Sequence, residues 1–149
     1  MPELTPEPFR VLLIEDSPGD RFLLREMIEG EGPARFIVSH LTDTLARGLE
    51  LARTGLPDVA LLDLALPDAR GIEVFARLHE AAPSLPVIVL GERDDEELAL
   101  QVVQRGAADY LLKGRMDPHL LHRTMRYAIE RGRSEAALSH ERDLLATLL

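Results

Sequence analysis

With 149 residues, 46% of them apolar and 29% charged, the chain has the size and make-up of one soluble globular domain. A net charge of −9 and an aromatic content of 4% argue against a general nucleic-acid binder, which needs basic residues for phosphates and rings for bases. The lack of cysteine excludes disulfides, thiol nucleophiles and Cys-ligated metals. No run approaches the roughly 20 apolar residues of a membrane span, and the N-terminus carries no signal-peptide pattern, so a cytoplasmic location is expected, away from any membrane.

In chain order, the lead-in MPELTPEP has three prolines and no apolar period, and residues 1–8 are expected to form a flexible tail. Short apolar runs follow at Arg10–Ile14, Phe36–Val38, Val59–Leu62, Val87–Leu90 and Tyr110–Leu112. Their length and β-branching suit buried parallel strands. Between them the apolar residues take a helical period: Phe22, Leu23, Met27 and Ile28; Leu45, Leu49 and Ala52; Ile72, Phe75, Ala76 and Leu78; Leu98, Val102 and Val103. Ser17-Pro18-Gly19-Asp20 and Asp117-Pro118 supply a capping side chain followed by proline, and Gly30, Gly55 and Gly106 stand where helices should stop. Five strands alternating with five helices predict an α/β sandwich with a parallel sheet covered on both faces.

The fifth helix is expected from Pro118 to about Thr147, far longer than one small sheet needs. Tyr127, Ala128 and Ile129 can pack on the core. Past Gly132 the apolar positions thin to Leu138, Leu145 and Leu148, so 9–132 is read as the domain and 133–149 as a helical extension, either a dimer seam or a linker to a further domain.

Chemistry in such a sheet belongs at the carboxyl ends of the strands. There the sequence places Glu15 and Asp16 after the first run, Asp63 after the third, Gly91-Glu92 after the fourth and Lys113 after the fifth. Lys113 is the one lysine among 17 basic residues, the other 16 being arginine. A compact ammonium differs from a guanidinium fork, which makes its position informative. Clustered carboxylates repel unless a cation sits among them, and a hard divalent ion, Mg²⁺, meets that need with oxygen ligands. Mg²⁺ and Lys113 together would neutralise a phosphoryl group attacked by a carboxylate oxygen. The acidic loop Glu15-Asp16-Ser17-Pro18 lacks the glycines that cradle a nucleotide phosphate.

These residues resemble the receiver domains of two-component response regulators over about residues 9–131. The likeness is carried by Glu15-Asp16, by Asp63-Leu64-Ala65-Leu66-Pro67 running on to Gly71, and by Gly106-Ala107-Ala108-Asp109-Tyr110-Leu111-Leu112-Lys113. It implies a flavodoxin-like doubly wound five-stranded parallel sheet in the order 2-1-3-4-5. It implies Asp63 as phosphoacceptor, with Mg²⁺ held by Glu15, Asp16, Asp63 and the carbonyl of Ala65. Lys113 would pair with the acyl phosphate, Leu64 and Glu92 would be further phosphate-binding positions, and Gly91 and Tyr110 would be the switch pair. The partners implied are a sensor histidine kinase or a histidine phosphotransfer protein, and an effector or attached output domain. Self-association would run through the last helix, with no direct contact to nucleic acid.

Two positions depart from the family. Gly91 stands where a Thr or Ser hydroxyl usually moves to the phosphate, and Gly114 stands where a cis-proline commonly follows the lysine. A trans connection is expected after Lys113, because a cis bond without proline costs about 2.5–4 kcal/mol. Gly91 motivates an alternative reading: a docking or dimerisation module in which phosphorylation switching is weakened. An aspartyl-phosphate hydrolase of the haloacid-dehalogenase type also uses a strand-end Asp, but it needs a second acid two residues on, where Ala65 stands. No catalytic turnover is therefore expected. Asp94-Asp95-Glu96-Glu97 reads as a helix N-terminus, His140-Glu141-Arg142 as part of the extension, and His119 and His122 as a helical pair without convincing metal-ligand spacing.

Overall fold

The computed structural model describes residues 7–148. Five strands alternate with five helices. They run β1 (Phe9–Ile14), α1 (Pro18–Glu29), β2 (Phe36–Thr42), α2 (Leu45–Arg53), β3 (Val59–Asp63), α3 (Ile72–Ala81), β4 (Val87–Gly91), α4 (Glu96–Gln104), β5 (Asp109–Leu112) and α5 (Pro118–Leu148). A 3₁₀ turn at Lys113–Arg115 joins β5 to α5. All strand pairs are parallel and the order is β2-β1-β3-β4-β5, the arrangement expected from the sequence. Strand β1 lies inside the sheet, between β2 and β3, and is buried from Val11 to Ile14. Its register against β2 slips between Val11 and Leu12, where Val11 faces Val38 and Leu12 faces His40.

Because side chains alternate across a strand, the inner strands β1, β3 and β4 each feed two cores. Leu12, Ile14, Ala60, Leu62, Val87 and Val89 pack against α2, α3 and α4 through Leu49, Phe75 and Val102. Val11, Leu13, Val59, Leu61, Ile88 and Leu90 pack against α1 and α5 through Leu24, Ile28, Leu121 and Met125.

Helix starts follow the expected capping chemistry. Ser17 Oγ accepts from the Asp20 N–H with Pro18 opening α1, and Asp95 Oδ1 accepts from the Leu98 N–H at 3.0 Å. Asp117 does the same for Leu120 at 2.8 Å. Gly55 and Gly106 take positive φ (73° and 113°) just past α2 and α4, as helix-terminating glycines do.

Several phase assignments need correction. Phe22 and Leu23 lie on the solvent side of α1, where Leu24 and Ile28 are buried instead. Val103 on α4 and Tyr127 on α5 are likewise exposed, while Val102, Ala128 and Ile129 face the core. The cause is common to all. Each residue on a helix is turned about 100° from the last, so an apolar residue one or two positions from a buried one can face solvent.

Helix α5 continues as one element to Leu148, and residues 133–147 are exposed. Of the expected tail, residues 1–6 lie outside the described residues, as does Leu149 at the far end. Among the described residues no peptide bond is cis, so the connection after Lys113 is trans as expected. No helix among them is long and apolar enough to cross a membrane.

Candidate functional site

At the carboxyl edge of the sheet the chain leaves β1 with Glu15 and Asp16 and β3 with Asp63. One carboxylate oxygen from each of the three lies within 4.8 Å of the other two. Asp63 is anchored through both oxygens: Oδ1 accepts from the Ala65 N–H at 3.0 Å, and Oδ2 accepts from Lys113 Nζ at 3.0 Å. The loop after it is closed by Gly71 N–H donating to the Leu64 carbonyl at 2.8 Å and by the Leu66–Ala69 bond at 3.0 Å. Gly71, at φ 82°, permits the turn into α3. Leu64 is buried beneath this loop, and Ala65 lies beside Asp63 in a hollow of about 270 Å³.

Lys113 reaches the cluster from the 3₁₀ turn. Its ammonium stands 2.7 Å from Glu15 Oε2, 3.0 Å from Asp63 Oδ2 and 3.0 Å from Asp20 Oδ2, with the exposed Glu92 carboxylate at 3.9 Å. Burial alone would lower the lysine pKa. The carboxylates of Glu15, Asp63 and Asp20 outweigh it and hold the group above its ordinary value, so it is charged.

Glu15 is the most constrained member. It is fully buried, and its Oε1 accepts from the Ser17 N–H at 3.1 Å. Its Oε2 meets Lys113 as an ion pair without hydrogen-bond alignment. Burial pushes its pKa up from 4.5 to about 7, with the Asp63 carboxylate adding to the rise and Lys113 and the Ser17 N–H opposing it. A divalent cation touching Glu15, Asp16 and Asp63 would reverse that balance. All three donors are hard oxygens, which suits such an ion.

The structure thus brings Glu15, Asp16, Asp63 and Lys113 together, and it sets Gly91 and Tyr110 side by side, with the Tyr110 hydroxyl donating to the Arg93 carbonyl at 3.0 Å. The Asp94–Glu97 run serves α4 as a cap, and His122 is buried with Nε2 2.9 Å from the Met27 carbonyl and 3.0 Å from that of Ile28. Two residues escaped the sequence reading. Asp20, read only as part of the Ser17-Pro18-Gly19-Asp20 helix start, is a third carboxylate on the Lys113 ammonium. The signal was present, since α1 starts at the same sheet edge where β1 ends. Asp68 accepts from the Leu45 and Ala46 N–H groups, both at 2.9 Å, and so caps α2 from 22 or more residues away; no local pattern reveals that.

A doubly wound sheet with acids after strands one and three and an ammonium after strand five defines a class of signalling module. The chain matches the family model for the response regulator receiver domain over residues 11–125, and it belongs to that family, the receivers of two-component phosphorelay signalling. Among curated relatives it is 42% identical over 103 residues to the KDP operon transcriptional regulatory protein KdpE of Escherichia coli, covering 69% of this chain and 44% of that protein. It is 34% identical over 122 residues to the nitrate/nitrite response regulator protein NarL of the same organism, covering 82% and 55%. The chain spans about half the length of these relatives. Among solved structures, the signal receiver domain of a modulated diguanylate cyclase from Desulfovibrio desulfuricans superimposes with a TM-score of 0.73 at 29% identity, over 87% of this chain and 99% of that one.

Proposed function

We propose that this receiver accepts a phosphoryl group on Asp63 from a phosphohistidine of a sensor histidine kinase or a histidine phosphotransfer protein, and relays the change to a partner or an attached output domain. One observation carries the reading: a buried carboxylate that shares an ammonium with two other acids at the open edge of the sheet. An Asp63 oxygen attacks phosphorus. The new P–O bond forms as the P–N bond to imidazole breaks, and the electron pair leaves with the histidine nitrogen. Lys113, already 3.0 Å from Asp63, offers its protons to the incoming oxygens. Glu15, Asp16, Asp63 and the Ala65 carbonyl would hold Mg²⁺, which when bound offsets charge on the transferring group. The backbone at Leu64 and Glu92 would complete the phosphate contacts.

The test is mass spectrometry after incubation with phosphoramidate and Mg²⁺. One phosphoryl mass is expected on the parent chain and none on Asp63→Asn. Equal labelling of the two would overturn the assignment.

Gly91 favours a second reading, in which the protein acts as a docking or dimerisation module with weakened switching. An oligomeric state and amide spectrum indifferent to beryllofluoride would support it. In either reading the exposed stretch of α5 beyond Gly132, carrying Leu138, Leu144 and Leu145, is the segment available for self-association or for connection to another domain.

A further inference from the structure

Strand β4 ends on a residue with no side chain, and an aromatic ring occupies the place where one would be. A Cβ built on Gly91 would overlap Oη and Cζ of Tyr110 and would stand 3.0 Å from its Cε1. Any larger residue at position 91 therefore has to expel the phenol. With glycine there, Tyr110 lies across the end of β4, one strand in from its own position on the edge strand β5.

That location is next to the phosphoacceptor. Asp63 pairs in register with Leu90, so Gly91 is the residue immediately beyond its neighbour, on a strand about 4.8 Å away. Asp63, Ala65, Gly91, Glu92 and Tyr110 line one continuous hollow of about 270 Å³. Of the residues lining it, Tyr110 alone carries a hydroxyl. At present that hydroxyl donates its proton to the Arg93 carbonyl, a neutral bond of 3.0 Å.

A phosphoryl group on Asp63 would extend charged oxygens into the same hollow. A donor facing an ionised oxygen makes a bond roughly twice as strong as one to a neutral carbonyl. The surroundings also keep the phenol protonated: burial first, and then the charges of Asp95 and Asp94, raise its pKa above the ordinary value.

We propose that Tyr110 is a phosphate-binding residue: its hydroxyl leaves the Arg93 carbonyl and donates to an oxygen of the phosphoryl group on Asp63 through the space that Gly91 leaves open. The same exchange frees the Arg93 carbonyl and with it the loop between β4 and α4. One side chain then both contacts the phosphate and reports it to the surface. The proposal rests on Asp63 being the phosphoacceptor.

The experiment titrates the full chain with beryllofluoride and Mg²⁺ by calorimetry. Tyr110→Phe keeps the ring and removes the hydroxyl, and it is expected to weaken binding about tenfold. Gly91→Ala, which crowds the hydroxyl out, is expected to do the same. The double variant should lose no more than either single, because both changes break one interaction. Tyr110→Phe binding within twofold of the parent, or losses that simply multiply in the double variant, would overturn the proposal. Asp63→Asn separates the two readings. If it abolishes binding while Tyr110→Phe does not matter, only the tyrosine role falls; if the parent binds no beryllofluoride, both fall.

Discussion

The Lys113 ammonium lies 3.0 Å from Asp63 Oδ2, although fifty residues separate them in the chain. The same nitrogen also meets Glu15 and Asp20, so one cation serves three carboxylates from three elements. Removing it leaves Glu15 buried and Asp63 nearly so, without a counter-charge. Breaking a buried pair on one side costs about 3–5 kcal/mol, and here about 2 kcal/mol is expected, because Glu15 can take up a proton and Asp20 is solvated. Lys113→Ala should therefore lower the urea midpoint at pH 8 without divalent cations, and Mg²⁺ should restore part of the loss. Lys113→Arg should not recover phosphoryl labelling, since the wider planar fork cannot occupy the place of a compact ammonium.

The pKa of Glu15 fixes how stability varies with pH. Folded, it titrates near 7; its ordinary value is 4.5. Between those values the folded protein holds a proton that the unfolded chain has lost. Stability from this group is therefore highest at low pH and declines as pH rises through the window, levelling off above about 7. The slope approaches about 1.4 kcal/mol per pH unit where a whole proton separates the states. Urea unfolding of the cation-free protein at pH 5, 6, 7 and 8 should show this decline, and Glu15→Gln should flatten it. Mg²⁺ affinity should run the other way, tightening with pH as the proton leaves the ligand.

Asp68 offers a prediction away from the site. It accepts from the Leu45 and Ala46 N–H groups, which lowers its pKa; the Leu45 bond is the largest cause. Asp68→Ala should cost about 1 kcal/mol, the usual value of a helix cap, with Thr44 keeping one bond at the same terminus. Because the folded pKa is depressed, this contribution is present above the ordinary value of 3.8 and is lost as pH falls below it. Parent and variant should converge in stability at low pH.

The strands and the acidic trio were legible because the inner strands are buried apolar runs and each candidate site residue stands at the end of such a run, while the sheet order came from the resemblance to receiver domains. Lys113 was legible because it is the one lysine. What the sequence hides is register in three dimensions. Asp20 and Asp68 act on groups 93 and 22–23 residues away, and nothing in their own neighbourhoods differs from ordinary first-turn or loop acids. Phe22, Leu23, Val103 and Tyr127 misled because an apolar residue beside a buried one on a helix need not be buried itself. The seating of Tyr110 over Gly91 depends on two strands meeting side by side, so it follows from the missing side chain only once the sheet is assembled.

The extension of α5 yields the last prediction. Residues 133–147 are exposed, and the ties nearest the domain are the Arg133 guanidinium 5.4 Å from the centre of the Phe9 ring and the close approach of Gly132 to Pro86. Past Ala136, which lines a hollow with Pro83 and Pro86, every residue to 147 is exposed, and an isolated stretch of about a dozen helical residues is marginal by itself. Deleting residues 137–149 should therefore leave the urea midpoint and the phosphoryl labelling of the domain unchanged. A loss above about 1 kcal/mol would make the extension part of the folded unit. Light scattering on the same pair of chains distinguishes its two uses. A 149-residue chain that is dimeric while the shortened one is monomeric identifies a seam through Leu138 and Leu145, and Leu138→Glu should then abolish association; equal monomeric masses leave the stretch as a connector.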